Sequence, residues 1–211
     1  QVPFLKQNRP LAASPQCMQW RTLGSFTPTQ LADARLQAHH ALQLLTRFAR
    51  GYHAPADDDS HTNAGWDDEE QAFTGRPVED MQMALRLEDL ALLWRNVATR
   101  DQLAFPLDRR TIDEAVSWVN DRLRDAGLPL EPYEQPLHFE IPQHSVDAGG
   151  PFAVTEPEAF AELAHVFGNA HFVLTDLRVG HPESTEVRCW PHHFDLATLL
   201  RLGGDRSIGC G

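Results

Sequence analysis

The sequence is poor in cysteine and in positive charge. Its three cysteines, Cys17, Cys189 and Cys210, show no C-x-x-C spacing. An odd, dispersed set is unlike a disulfide framework or a zinc knuckle, so we expect a reducing, cytoplasmic location. Lysine and arginine number 18 against 30 acidic residues, which gives a net charge of −12. So acidic a surface is unsuited to phosphate backbones and anionic lipid, and we expect neither a nucleic-acid nor a membrane partner.

Other features are missing as well. No run of 18 apolar residues could form a transmembrane helix, and the N-terminus lacks the order of a signal peptide. Walker A, G-x-S-x-G, G-x-G-x-x-G and H-E-x-x-H motifs do not occur. The acidic segment 53–72 does not match a calcium-binding loop, and we interpret it as a solvated loop anchored by Trp66. Because the chain ends in a glycine-rich turn, we expect a C-terminal segment to be missing.

Capping patterns and apolar spacing predict three helices. Each predicted helix starts at a threonine that is followed three residues later by Gln30, Glu114 or Glu158. Apolar residues then recur at intervals of three and four, and a glycine follows each helix. The predicted helices span 27–51, 111–127 and 155–179.

The predicted strands are separated by these helices. Alternating apolar residues in 79–96 favour a β-hairpin that turns at Glu88 and Asp89, although good helix formers make a single helix the alternative. Further strands are predicted at 137–146, at 186–202 and from Ser207. The order indicates an α+β fold, with a mostly antiparallel sheet packed against two or three helices. We expect one domain over 27–211, after an extended arm, 1–26, that packs through apolar residues, namely Phe4, Leu5, Trp20 and Leu23.

The predicted strand 186–202 carries the main candidate site. Since side chains on a strand alternate between its faces, His193 and Asp195 would point the same way. They could then bind a metal together, or the aspartate could orient the histidine as a general base. Trp190 and His192 would be available to bind a ligand. The simpler interpretation is that one face of this strand meets water.

Three further residues extend this candidate site. If the strands 137–146 and 186–202 are neighbours, Glu140 and His144 could join His193 and Asp195 around a divalent transition metal. The alternative is a sheet edge with solvated polar groups. His171 lies on the apolar face of the third helix, and we include it as a binding residue although a hydrogen-bonded core histidine is more common there.

Four segments carry a resemblance to a known family. They are "ARLQAHHALQLL", "MQMALRLEDLALLW", "TIDEAVSWVNDRL" and "HHFDLATLLRL", in that order. From about Thr29 onward the chain resembles an uncharacterised bacterial family, the domain of unknown function numbered 5996, most specifically at F-D-L-A, residues 194–197. The family has no known activity, so the resemblance implies no catalytic role. It implies that Asp195 and the run 190–194 belong to a central strand, which a glycine-rich aromatic stretch would follow.

Three functional hypotheses follow. The first is a small-molecule or metal-binding enzyme that uses His193 and Asp195. The second is a non-catalytic binding or structural module in which Trp66, Trp94 and Trp190 line a groove. The third is a homo-oligomer that forms through an exposed sheet edge.

Overall fold

The computed structural model describes residues 20–134, 136–201 and 207–211. Its helices are α1 (Ala32–Tyr52), α2 (Ile112–Asp125), the single turn α3 (Glu131–Glu134) and α4 (Pro157–Val179), with a 3₁₀ turn at Ser60–Thr62. Its strands are β1 (Gly65–Asp67), β2 (Ala72–Thr74), β3 (Met81–Arg86), β4 (Ala91–Asn96), β5 (Gln102–Pro106), β6 (Arg188–Trp190), β7 (Asp195–Arg201) and β8 (Ser207–Cys210). The predicted α+β class is confirmed. No helix in the described ranges is both long and apolar enough to cross a membrane.

The strands form two antiparallel sheets. Strands β1 to β5 pair in chain order, and β6, β7 and β8 form a three-stranded sheet with β7 in the middle. The sheets meet at Ala64 and Cys189, whose backbone groups exchange hydrogen bonds of 3.0 and 2.7 Å. Strand β8 is an outer strand of the smaller sheet. The homo-oligomer that would form through an exposed sheet edge stays a prediction.

One hydrophobic cluster connects both sheets with the helices. It includes Phe48 of α1, Leu92 of β4, Phe160 of α4 and Leu196 of β7, each at most 5% exposed. Helix α1 packs against β3 and α4, while α4 packs against β7. Burying each such side chain stabilises the fold by about 1.5–3 kcal/mol.

Local capping fixes the start of α2 as predicted, but it does not fix the start of α1. Thr111 caps α2, since its Oγ1 accepts a hydrogen bond from the Glu114 N–H at 3.2 Å while Glu114 Oε2 accepts one from the Thr111 N–H at 2.9 Å. Thr27 and Gln30 exchange the same kind of bonds, but these close a turn and α1 begins only at Ala32.

Other helix boundaries differ from the prediction. Helix α4 has Glu156 rather than Thr155 at its N-cap position, and it ends at Val179 as predicted. Gly51 does not terminate α1, which continues to Tyr52. A Cβ on Gly51 would lie 2.7 Å from the Pro132 backbone, so glycine here permits close packing of α3 on α1.

The segment 79–96 is a hairpin, as predicted. Strands β3 and β4 pair from Met81–Asn96 to Arg86–Ala91. The turn contains four residues, 87–90, and it is closed by a bond of 3.1 Å from the Leu90 N–H to the Leu87 carbonyl. Parts of both strands are buried on both faces. For this reason apolar and polar residues alternate only partly along them.

The strand predicted at 137–146 is wrong. Segment 137–146 contains no strand, and Pro142 within it lacks the N–H that a ladder needs. Segment 53–72 is a loop over most of its length, as predicted, although β1 lies inside it and β2 begins at Ala72. Trp66 does anchor this region, since it lies on β1 and is only 9% exposed. Neither β1, β2 nor β5 was predicted.

The predicted long strand 186–202 is also wrong. It is a hairpin, with β6, a turn at 191–194 and β7. The Phe194 N–H donates to the Trp190 carbonyl at 2.8 Å and so closes the turn. His193 therefore lies in a turn and does not share a strand face with Asp195. Asp195 begins the middle strand, as the family resemblance implies, but residues 190–194 do not lie on it.

The predicted arm is described only in part, because residues 1–19, with Phe4 and Leu5, lie outside the described ranges. Residues 20–26 form no strand and lie against α4. The buried Glu162 carboxylate accepts a hydrogen bond from the Gly24 N–H at 2.7 Å. Trp20 and Leu23 are 57% and 39% exposed, so the predicted packing through them does not occur, and polar contacts to α4 hold this segment instead.

Candidate functional site

Phe194 anchors the turn that joins β6 to β7. Its side chain is 2% exposed, and its ring lies 4.9 Å from that of Phe167 and 5.6 Å from that of Phe73. The His39 ring stacks on it at 5.0 Å, with an interplanar angle of 8°. Phe194 has a φ of 58°, a left-handed conformation that costs roughly 1–2 kcal/mol for a residue with a Cβ. Burial of the ring outweighs this cost.

Two side chains of α1 hold the start of the same turn. His39 Nε2 lies 2.8 Å from the Pro191 carbonyl oxygen, and Gln43 Nε2 donates to that oxygen at 2.9 Å. Because a carbonyl only accepts, His39 carries its proton on Nε2. Burial lowers the pKa of His39 to about 4, so this histidine is neutral at pH 7. The turn is therefore fixed from inside by neutral hydrogen bonds and an aromatic stack.

The outer side of the turn is rich in histidine. The rings of His192 and His193 lie 4.1 Å apart, and His192 also contacts Phe139 at 5.7 Å and Trp190 at 6.2 Å between ring centroids. Burial, followed by the neighbouring His193, lowers the pKa of His192. The neutral ring is thus favoured at pH 7, and in this form it can accept a proton.

A histidine–aspartate pair lies beside His192. His138 Nε2 is 2.9 Å from Asp59 Oδ2, although 79 positions separate the two residues in the chain. The charges of both Asp59 and His138 influence His192. Asp59 was not predicted as a site residue, because nothing in the sequence distinguishes it from the other acidic residues of the segment 53–72. We call Asp59, His138 and His192 the histidine rim.

A cleft of about 550 Å³ lies next to the histidine rim. Alternate residues of β7 are buried in the core, so the other face of the β6–β8 sheet is open and forms one wall. Trp190 and Leu199 border this wall, while the small residues Ala197 and Gly209 leave room at its centre. The opposite wall is polar and comes from Asp58, Ser60, Asn63 and Arg76.

The two arginines of the cleft have different partners. Arg188 contacts the Glu186 carboxylate through Nη2, and this arginine lowers the pKa of Glu186. Arg76 Nη2 donates to neutral oxygens, the Ser60 carbonyl at 3.2 Å and Asn63 Oδ1 at 3.3 Å. Its Nε is buried and finds no acceptor among the described residues. The cleft therefore contains one compensated and one incompletely paired guanidinium.

The structure does not gather the four predicted metal ligands into one group. Asp195 is exposed at the start of β7, directly after the turn. The His193 carbonyl accepts from Arg35 Nη2 at 3.4 Å, and His144 Nε2 lies 3.0 Å from Asp33 Oδ1. Glu140 lines a separate cleft of about 360 Å³ along α1. Across the described ranges, no three His, Cys, Asp or Glu residues are arranged to hold a metal ion.

The other predicted binding residues are also separated. His171 lies on α4 near Asp68, and burial lowers its pKa. It is not among the residues that line the cleft beside the histidine rim. Trp66 and Trp94 are core residues, at 9% and 5% exposure, so of the three predicted tryptophans only Trp190 borders this cleft.

Comparison with known proteins adds no functional information. No family model matches the chain, and no curated protein or solved structure shows a significant match.

Proposed function

We propose that the protein binds a small molecule in the cleft between the open face of the β6–β8 sheet and the segment 58–63. The observation that carries the proposal is the recess over Ala197 and Gly209, which is bordered by the half-buried Trp190. An aromatic wall beside small residues offers a flat apolar surface. Polar groups converge from the opposite wall, which is the usual composition of a ligand site.

The volume supports this proposal. Small-molecule sites usually enclose about 300–1,000 Å³, and the cleft lies in that range. Its apolar wall is the face that β7 does not use for the core, because Leu196 and Leu200 are buried on the other side. A bound molecule would cover a sheet face that is otherwise left to solvent.

Filling the recess tests the proposal. Ligand-observed NMR with a library of small fragments would be run on the wild type, on Ala197→Phe and on Ala148→Phe. Ala148 is exposed in a turn outside the cleft and serves as the matched control. We expect fragments that bind the wild type and the control but not Ala197→Phe. If every hit persists in a folded Ala197→Phe variant, the cleft is not the binding site.

Acid–base catalysis is a second candidate, and the His138–Asp59 pair favours it. A carboxylate 2.9 Å from an imidazole is the arrangement that orients a general base. Asp58 lines the cleft immediately before Asp59 in the chain, and Trp190 links the cleft to His192. With a substrate from the fragment search, Asp59→Asn should lower kcat by about 10²–10⁴-fold. An unchanged kcat would refute a catalytic role for the His138–Asp59 pair.

Three broader expectations remain proposals. Membership of the family numbered 5996 is supported by the four segments quoted above, and it predicts the same buried phenylalanine turn in any member's structure. A reducing, cytoplasmic location is supported by Cys189 and Cys210, both of which are free thiols. A divalent metal remains a prediction from the sequence, and the cleft proposal does not require it.

A further inference from the structure

Arg76 has donors that the described residues leave unused. Guanidinium carries five N–H donors, and the hydrogen bonds of Arg76 here involve only Nη2. Its Nε is shielded from solvent and has no acceptor in the part of the chain that the structure describes. A buried donor that lacks a partner is costly, so such a group usually meets a water molecule or a ligand atom.

We propose that the ligand of this cleft carries an anionic group, a carboxylate or a phosphate, which Arg76 binds, and a flat apolar part that lies against Trp190. The inference rests on the proposed function and specifies its ligand class. A planar fork of N–H donors matches the oxygens of either anion, and both would complete the hydrogen bonding of Arg76.

The surroundings decide between the two arginines. Arg188 already contacts Glu186, and it packs over β1, where a Cβ on Gly65 would lie only 3.0 Å from Arg188 Nη1. Arg188 is thus held in place and neutralised. Arg76 has only neutral oxygens within hydrogen-bond distance among the described residues.

The acidic residues of the cleft do not neutralise Arg76 completely. Asp58 is exposed, and a hydrogen bond from Ser60 already lowers its pKa. Solvent and salt screen a charge in that position. Glu186 feels the charge of Arg76, but its hydrogen bond goes to Arg188. A ligand anion would therefore find a net attraction at Arg76.

The test compares probes of matched shape. Benzoate, phenyl phosphate and the neutral benzamide would be titrated by saturation-transfer NMR against the wild type. Since a hydrogen bond to a charged group contributes more than a neutral one, we expect at least one anion to bind about 10- to 100-fold more tightly than benzamide. The tighter anion identifies carboxylate or phosphate as the recognised group.

Arginine variants then locate the preference. In Arg76→Gln the anions should bind no better than benzamide, and Arg76→Lys should retain part of the preference because it keeps the charge without the fork. Arg109→Gln, whose side chain is 92% exposed, is the control and should behave as the wild type.

Several outcomes would overturn the inference. Equal binding of benzamide and both anions by the wild type would do so, even if the variants fail to fold. Anion binding that persists in a folded Arg76→Gln variant would do the same. In both cases fragments that depend on Ala197 could still bind. The inferred ligand class would then be refuted, while the cleft would still stand as a binding site. If all fragments bind the Ala197→Phe variant as they bind the wild type, the cleft itself is refuted as the binding site.

Discussion

Replacing Phe194 by alanine tests whether this side chain anchors the turn of the β6–β7 hairpin. The ring is 2% exposed and lies against Phe73, Phe167 and His39. Removing a phenylalanine from such a site costs about 3–5 kcal/mol, through lost burial and the cavity left behind. In a chain of this length, each kcal/mol lowers Tm by about 2–4 °C, so the expected loss is roughly 6–20 °C.

The backbone conformation of Phe194 adds a second expectation. Alanine keeps the strain of a φ of 58°, whereas glycine does not. Phe194→Gly should therefore be no less stable than Phe194→Ala, although it removes one more carbon atom. At an ordinary strand position, glycine would be the less stable of the two.

Thermal unfolding followed by circular dichroism measures both effects. His193→Ala is the matched control. The His193 side chain is adjacent to Phe194 in the chain but exposed, so its loss should change stability by less than about 0.5 kcal/mol. If Phe194→Ala melts within about 2 °C of the wild type, less than the shift for one kcal/mol, the buried anchor is wrong. The position assigned to the histidine rim would then be wrong as well.

Two further predictions concern α1. Because burial holds the pKa of His39 near 4 in the folded chain, against 6.5 when unfolded, its contribution to stability is complete above pH 6.5 and is lost as the pH falls towards 4. The free energy of unfolding, measured with urea, should fall by on the order of 3 kcal/mol over this pH range. In His39→Gln this fall should be smaller. The same fall in the variant and the wild type would refute the buried, neutral state of His39. Gly51→Ala should cost about 1–3 kcal/mol of stability because its Cβ would meet the Pro132 backbone. Gly180→Ala is the control and should be nearly neutral, since Gly180 has open space around it and an ordinary φ. Equal stability of the two variants would contradict the close packing of α3 on α1.

Only part of the candidate site could be predicted from the sequence. Trp190 and His192 were selected because they stand out in an otherwise apolar segment, and both lie at the cleft or its rim. Asp59 and Arg76 were not selected, since nothing nearby in the chain distinguishes them from solvated charges. Asp59 is distinguished by its contact with His138, and Arg76 by lining the same cleft as the β6–β8 sheet; both partners are distant in sequence.

The sequence by itself determined the α+β class, the capping of α2, the end of α4 and the β3–β4 hairpin, because each depends on residues close together in the chain. Only the tertiary structure decided that 186–202 is a hairpin. The local alternation there resembles a strand, but burial of the Phe194 ring against α4 and two hydrogen bonds from α1 stabilise the turn. Packing between distant segments therefore outweighs local strand propensity.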